Sequence, residues 1–226
     1  MSSGSSEVSG AVDAGADLDG GGIETHSVGR YLADLASASP APGGGSAAAL
    51  AAALGAALVA MTCRVTARHA GAAPEGRPLG ELAEQADSLR RRLTALANDD
   101  ARVYSDVIAA RRLPVPERER AVQRALERAT EVPERVAAES RHVLALCERI
   151  APCARASTLS DLGVATILAH GALRAGALTA RTNLAGIADG DFTGETARRV
   201  DALVAEGMLL AERIETALAA RGARAS

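Results

Sequence analysis

The sequence predicts an all-α fold, a single-domain antiparallel bundle of long helices, and three observations carry that prediction. Apolar residues recur at helical spacing along most of the chain, and no period-two stretch of useful length appears. Hydrophobic residues make up 48% of the chain while aromatics make up only 1%, so the core must be built from Ala, Leu, Val and Ile. Small side chains at this frequency suit closely packed helices and suit a sheet poorly. With 226 residues the chain is long enough for one sizeable domain and short for two.

Residues 1–26 are Ser, Gly, Ala and Asp with little periodicity and read as a disordered leader, which leaves a helical domain over residues 27–222. Ser27 can cap a first helix carrying Val28, Tyr31, Leu32 and Leu35. The run Ser39 to Gly45 breaks it, and a second helix is expected from about Ser46 to His69. Gly71 to Gly76 reads as a loop. A third helix follows from about Pro78 to Arg112, with Pro in its first turn. A fourth begins near Pro116, and Pro133 is expected to kink or split it before it continues to Ile150, because the ring removes a donor and clashes with the preceding turn. The last two helices are expected over about Thr158–Ala188 and Thr193–Ala220, and the short loops make neighbours antiparallel.

Composition excludes several function classes. A net charge of −3 and a pI near 5.9 argue against nucleic-acid binding. Every basic residue is Arg, so no lysine can act as a base or form a Schiff base. Cys63, Cys147 and Cys153 are an odd set without metal-like spacing and read as reduced thiols of a cytoplasmic protein. The four histidines form no HxxxH or HExxH pattern, so no metal is expected. No signal peptide is visible. The apolar stretch Ala47 to Cys63 is mostly Ala and reads as a buried core helix rather than a membrane span.

The pattern breaks in three places. The first is the elbow Pro42-Gly43-Gly44-Gly45-Ser46 at the mouth of the second helix, where free N–H groups and the positive dipole end favour an anion. Three consecutive glycines cost backbone entropy and serve where a ligand approaches the main chain or the chain needs unusual dihedrals; an ordinary flexible turn is the other reading. The second is Asp100, which falls inside the apolar stripe Leu82, Ala86, Leu89, Leu93, Leu96, Val103, Val107. A carboxylate there is expensive unless paired or protonated, and burial raises its pKa, which makes it either a tuned acid or base or a structural partner of an Arg or helix end. The third is a face of the fifth helix formed by Asp161, Ala165, Leu168, Ala172, Gly176, Thr179 and Asn183, bare in the middle and polar at its ends, which lets a helix or a ligand come close. Arg174 and Arg181 lie on roughly the opposite face and suit another subunit or an anionic tail.

Taken together, the segments Tyr31 to Leu50 with their PxPGGGS elbow, Asn98-Asp99-Asp100-Ala101 through Arg112-Leu113-Pro114, Ala129 to Pro133, and Ser160-Asp161-Leu162-Gly163-Val164-Ala165 through Asn183-Leu184 resemble the formiminotetrahydrofolate cyclodeaminase / methenyltetrahydrofolate cyclohydrolase family. The resemblance covers about Ser27 to Ala220. It implies an all-α homodimer with a folate cleft near the subunit interface. It also implies one of two reactions on the one-carbon unit of tetrahydrofolate: cyclisation of the formimino group with release of ammonia, or hydrolysis of the methenyl bridge to 10-formyltetrahydrofolate. Neither needs a cofactor beyond the folate substrate. The chain contains no formiminotransferase segment, which tilts the expectation towards the cyclohydrolase. Both reactions move protons at N5, N10 and the bridging carbon, and Asp100 and Asp161 are the candidate acid and base. Pro42, Gly43, Gly44, Gly45, Ser46, Ser160, Thr179, Arg181 and Asn183 are the candidate substrate contacts. The chain departs from the family pattern at Thr179, at Arg64 and at Ala67-Arg68, which motivates an alternative: a diverged folate-binding or regulatory protein without catalysis.

Overall fold

The computed structural model describes residues 22–70 and 76–225. Every regular element among them is helical: a 3-10 turn at Ile23–Thr25, α1 (Val28–Leu35), α2 (Gly44–Ala70), α3 (Gly76–Arg111), α4 (Glu117–Ile150), a second 3-10 turn at Ala156–Thr158, α5 (Leu159–Leu184) and α6 (Gly190–Ala225). Of the leader expected over 1–26, residues 1–21 lie outside the described residues, as does most of the loop expected at 71–76. Residues 22–26 are ordered around the 3-10 turn, and the Ile23 N–H donates to Asn98 Oδ1 at 2.7 Å. Ser27 does cap α1, accepting from the Arg30 N–H at 3.2 Å.

The core is a bundle in which α2 packs on α3 and α5, and α4 packs on α5 and α3. The buried side of α2 is almost wholly alanine, with Ala49, Ala52 and Ala56 fully excluded from solvent. Small side chains let helix axes close up, which is how a chain with so few aromatic residues fills its interior. Two helices, α2 and the segment around α5, are long and apolar enough to cross a membrane, and both spend much of that apolar surface on neighbouring helices.

Pro133 neither splits nor ends α4, which runs unbroken from Glu117 to Ile150. The reason lies on α5. A proline cannot donate to the carbonyl four residues back, here that of Ala129. The side-chain amide of Asn183 donates to that carbonyl at 2.8 Å and replaces the missing bond. Gly176, two turns earlier on α5, lets α5 lie directly against the same turn of α4: a Cβ there would sit 2.7 Å from the Pro133 carbonyl oxygen and 3.0 Å from the Ala137 nitrogen. The small-residue face read from the sequence is therefore filled in its middle by α4, and only its Thr179–Asn183 end stays open.

Gly176→Ala is expected to destabilise the protein by about 1–3 kcal/mol through overpacking against backbone that cannot yield. Gly80→Ala, with nothing within 4 Å of the added Cβ, is expected to gain up to about 1 kcal/mol from helix propensity. Denaturant unfolding of the two variants checks both signs.

Candidate active site

The site begins at the entry to α2. The helix starts at Gly44, two residues before the expected Ser46, so the glycines form its first turn. Ala47 makes the first intrahelical bond, to the Gly43 carbonyl at 3.0 Å. The N–H groups of Gly44, Gly45 and Ser46 precede that bond and have no carbonyl of their own helix to meet. Asp100 of α3 takes one of them: Ser46 N–H donates to Asp100 Oδ2 at 2.9 Å. The carboxylate sits so close that a Cβ on Gly45 would lie 2.1 Å from Asp100 Oδ1, which reserves that position for glycine. Gly43 and Gly44 have open space where a side chain would be, leaving bare backbone facing outward.

Burial pushes the Asp100 carboxyl above its ordinary range, and the Ser46 N–H opposes that shift only in part. Among the described residues no cation pairs with it. Ser46 itself is fully buried, and its hydroxyl meets the Tyr31 hydroxyl of α1 at 3.2 Å, tying α1 to the elbow.

A cleft of about 340 Å³ opens between this elbow and α3, α4 and α5. Gly43, Gly44, Gly45 and Asp100 form one wall, and Thr179 and Asn183 stand on another. Pro42 lies between Ala41 and Gly43, both of which line it. Four segments far apart in the sequence are thereby brought to one hollow. The Thr179 hydroxyl donates to the Ala175 carbonyl at 3.1 Å, and one N–H of the Asn183 amide is committed to Ala129, which leaves its second N–H and its amide oxygen to offer.

Ser160, Asp161 and Arg181 are not in this cleft. Ser160 and Asp161 are at the opposite end of α5, about 27 Å from Thr179 at 1.5 Å per residue. Arg181 is exposed and donates to Asp201 of α6 at 2.5 Å. Within one chain Asp161 therefore cannot share proton transfer with Asp100. Arg64, on α2, pairs with Asp87 and lies some five turns from the elbow, so among the departures from the family pattern only Thr179 touches the cleft.

Among the lining residues not anticipated, two carry polar groups. Tyr104, one turn beyond Asp100 on α3, exposes its ring to the cleft and is one of only three aromatic residues in the chain. Arg111, further along the same face of α3, closes the far end. Both could have been found by continuing the i, i+4, i+7, i+11 face from Asp100 and asking which large side chains it exposes. Burial pushes the Cys63 thiol up to about 11 and the Cys147 thiol up to about 12, so neither supplies a thiolate nucleophile. Among the described residues no three His, Cys, Asp or Glu side chains gather to hold a metal.

Comparison with known proteins places this architecture. The chain is 36% identical over 190 residues to a methenyltetrahydrofolate cyclohydrolase of Methylorubrum extorquens, covering 81% of this chain and 91% of that protein. It is 30% identical over 197 residues to the formimidoyltransferase-cyclodeaminase of Rattus norvegicus, covering 84% of this chain but only 36% of that longer protein. Its fold matches the crystal structure of a formiminotetrahydrofolate cyclodeaminase from Thermotoga maritima with a TM-score of 0.82 at 23% identity, over 88% of this chain and 98% of that one. The family model for formiminotransferase-cyclodeaminase matches residues 27–202, and with the elbow, the half-buried carboxylate and the helical scaffold all in place, this chain belongs to that family.

Proposed function

We propose that this protein is a folate one-carbon enzyme that hydrolyses 5,10-methenyltetrahydrofolate to 10-formyltetrahydrofolate. The observation that carries the reading is the half-buried Asp100 carboxyl, held against a glycine elbow at the floor of a cleft and without a cation partner among the described residues. The whole-length likeness to a cyclohydrolase supports this reaction over formimino cyclisation, which the same cleft serves if the substrate carries a formimino group. The reaction needs no cofactor beyond the folate substrate, and no nucleic acid or membrane takes part.

The chemistry follows from one acid/base group. The methenyl carbon between N5 and N10 is electrophilic. Asp100 in its ionised form takes a proton from water as the oxygen bonds to that carbon. The bond from carbon to N5 then breaks, Asp100 returns its proton to N5, and the hydroxyl proton leaves to solvent as the formyl carbonyl forms on N10. The N–H groups at the mouth of α2 are placed to meet the oxygen that carries developing negative charge. A carboxyl raised above the usual carboxylate range is better matched to this two-way transfer than a solvated one.

The apolar surface of α5 supports a homodimer. Ser160, Val164, Ile167, Gly171, Arg174, Leu178 and Arg181 are all exposed and recur at spacings of four and three, a continuous seam along one side of the helix. Ile167 is 64% exposed, Leu178 66%, and Leu54 of α2 60%. The seam is nearly symmetric about Gly171, so an antiparallel copy would set Val164 against the partner's Leu178 and Asp161 near the partner's Arg181. Three free cysteines, two of them buried, support a reducing cytoplasmic setting.

Asp100→Asn is expected to cut turnover of methenyltetrahydrofolate by at least about 100-fold, read as the slower loss of its near-UV absorbance. It is not expected to lower stability. The folded-state pKa of Asp100 is raised, so its contribution to stability is complete below the unfolded-state value and is lost as pH rises through the folded-state value. Above the folded-state value the ionised group is a cost, and there the Asn variant should unfold at the same temperature or higher. Wild-type kcat/KM should fall as pH drops through a value above the ordinary carboxylate range. An Asp100→Asn enzyme with near wild-type rates would remove the proposed role. A non-catalytic relative would instead bind folates in calorimetry and show no turnover.

For the dimer, Ile167→Glu combined with Leu178→Glu should convert a two-chain species into a folded single chain in sedimentation. A wild-type protein that sediments as one chain at micromolar concentration would refute the assembly.

A further inference from the structure

A shallow, solvent-open hollow of about 470 Å³ shares Arg111 with the cleft and differs from it in charge. Arg118 and Glu119 of α4 stand on its rim, with Val122 and Gln123 beneath. The two hollows lie end to end along the same helices. On α3, Asp100, Tyr104 and Arg111 share one face, and 11 residues separate the first from the last, a rise of about 16 Å. On α4 the lining passes from Arg118 and Val122 in the outer hollow to Leu126 and Ala129 in the cleft.

The two ends have opposite character. At the inner end sits the half-buried Asp100 carboxyl, which in its ionised form would repel an anionic tail. At the outer end the lining carries Arg111 and Arg118 against Glu119, within a stretch, residues 111–124, that contains five arginines against two glutamates, a local charge of +3 in a chain of −3. Arg92, Arg199 and Arg213 are tied to carboxylates of their own chain, whereas no carboxylate holds Arg111 or Arg118 among the described residues. The floor is fixed: Gln123 donates to the Gly186 carbonyl at 3.1 Å and accepts from the Ala188 N–H at 2.8 Å, locking the α5–α6 connection in place. Between the ends, Tyr104 presents a 47% exposed ring in a protein with almost no aromatic residues to spare.

We infer that α3 orients the substrate along its length, with the reacting one-carbon end at Asp100, the aromatic middle of the molecule on Tyr104, and the terminal glutamate carboxylates in the outer hollow between Arg111 and Arg118. This rests on the folate reading above and adds a carboxylate subsite and an aromatic platform to it. Arg forks match carboxylates in pairs of parallel hydrogen bonds, and an exposed tyrosine ring beside a cleft gains by stacking on a planar ligand.

Equilibrium titration with tetrahydrofolate and with tetrahydropteroate, the same molecule without its glutamate, tests the assignment. Wild type should bind tetrahydrofolate about tenfold more tightly, the value of a charge-assisted contact. The double variant Arg111→Gln/Arg118→Gln should bind the two ligands alike. Both arginines are exposed, so the fold is retained. Tyr104→Ala should weaken both ligands, and Tyr104→Phe should restore both, because the ring and not the hydroxyl makes the contact. Equal wild-type affinity for the two ligands, or a double variant that keeps the tenfold difference, overturns the subsite. A wild-type protein that binds neither ligand overturns the folate reading itself.

Discussion

The contact between Asp100 and the first turn of α2 is the constraint on which the cleft depends. It joins two helices whose interacting residues are 54 positions apart, and it does so with one hydrogen bond and one missing side chain. The bond fixes where α2 begins, because the carboxylate serves a donor that the helix cannot serve for itself. The missing side chain at Gly45 fixes how near α3 comes. Any larger residue would push the carboxylate away and open the floor of the cleft. Chain entropy is lost in ordering Gly43, Gly44 and Gly45, and in return two bare peptide units face the cavity at the positive end of a 27-residue helix.

The opposite wall depends on a second mismatch that is repaired across helices. Pro133 leaves the Ala129 carbonyl without its helical donor, and Asn183 supplies one. Gly176 makes that reach possible by letting α5 lie on the backbone of α4. Ala129 and Asn183 both line the cleft, so a repair of backbone hydrogen bonding also shapes the site. Thr179, one turn before Asn183, is carried to the same edge by the same packing.

Much of this was legible in the sequence and some was not, for identifiable reasons. The helix count and order follow from apolar spacing that tertiary contacts reinforce. Asp100 was legible because it interrupts a stripe whose other members are all buried. The elbow was legible because three glycines in a row have few uses. The split expected as one outcome at Pro133 did not occur, because it was argued from one chain segment alone, whereas the donor that rescues the helix comes from 50 residues downstream. Asp161 misled in a different way. It shares a face with Thr179 and Asn183, and periodicity reports faces but not distance along the axis, so a residue six turns away was grouped with a site it cannot reach in the same chain. Tyr104 and Arg111 were passed over because neither breaks the amphipathic pattern. Their significance lies in what stands opposite them, which only the packing of α4 and α5 supplies.

Among the described residues Asp100 is the one carboxyl that lines the cleft, and this bears on the mechanism proposed above. Two carboxylates would be needed if proton removal from water and proton delivery to N5 occurred at separated points. Both events concern atoms bonded to the same carbon, and one group can take and return the proton if its affinity lies between those of the two partners. Opposing influences set that affinity here. Burial favours the neutral acid, while the Ser46 N–H and the positive end of α2 favour the anion. Deeper burial would favour the neutral acid further, and full solvation would favour the anion. Asp100 stands at the boundary between the packed stripe of α3 and the open cleft, and the geometry of Gly45 holds it there.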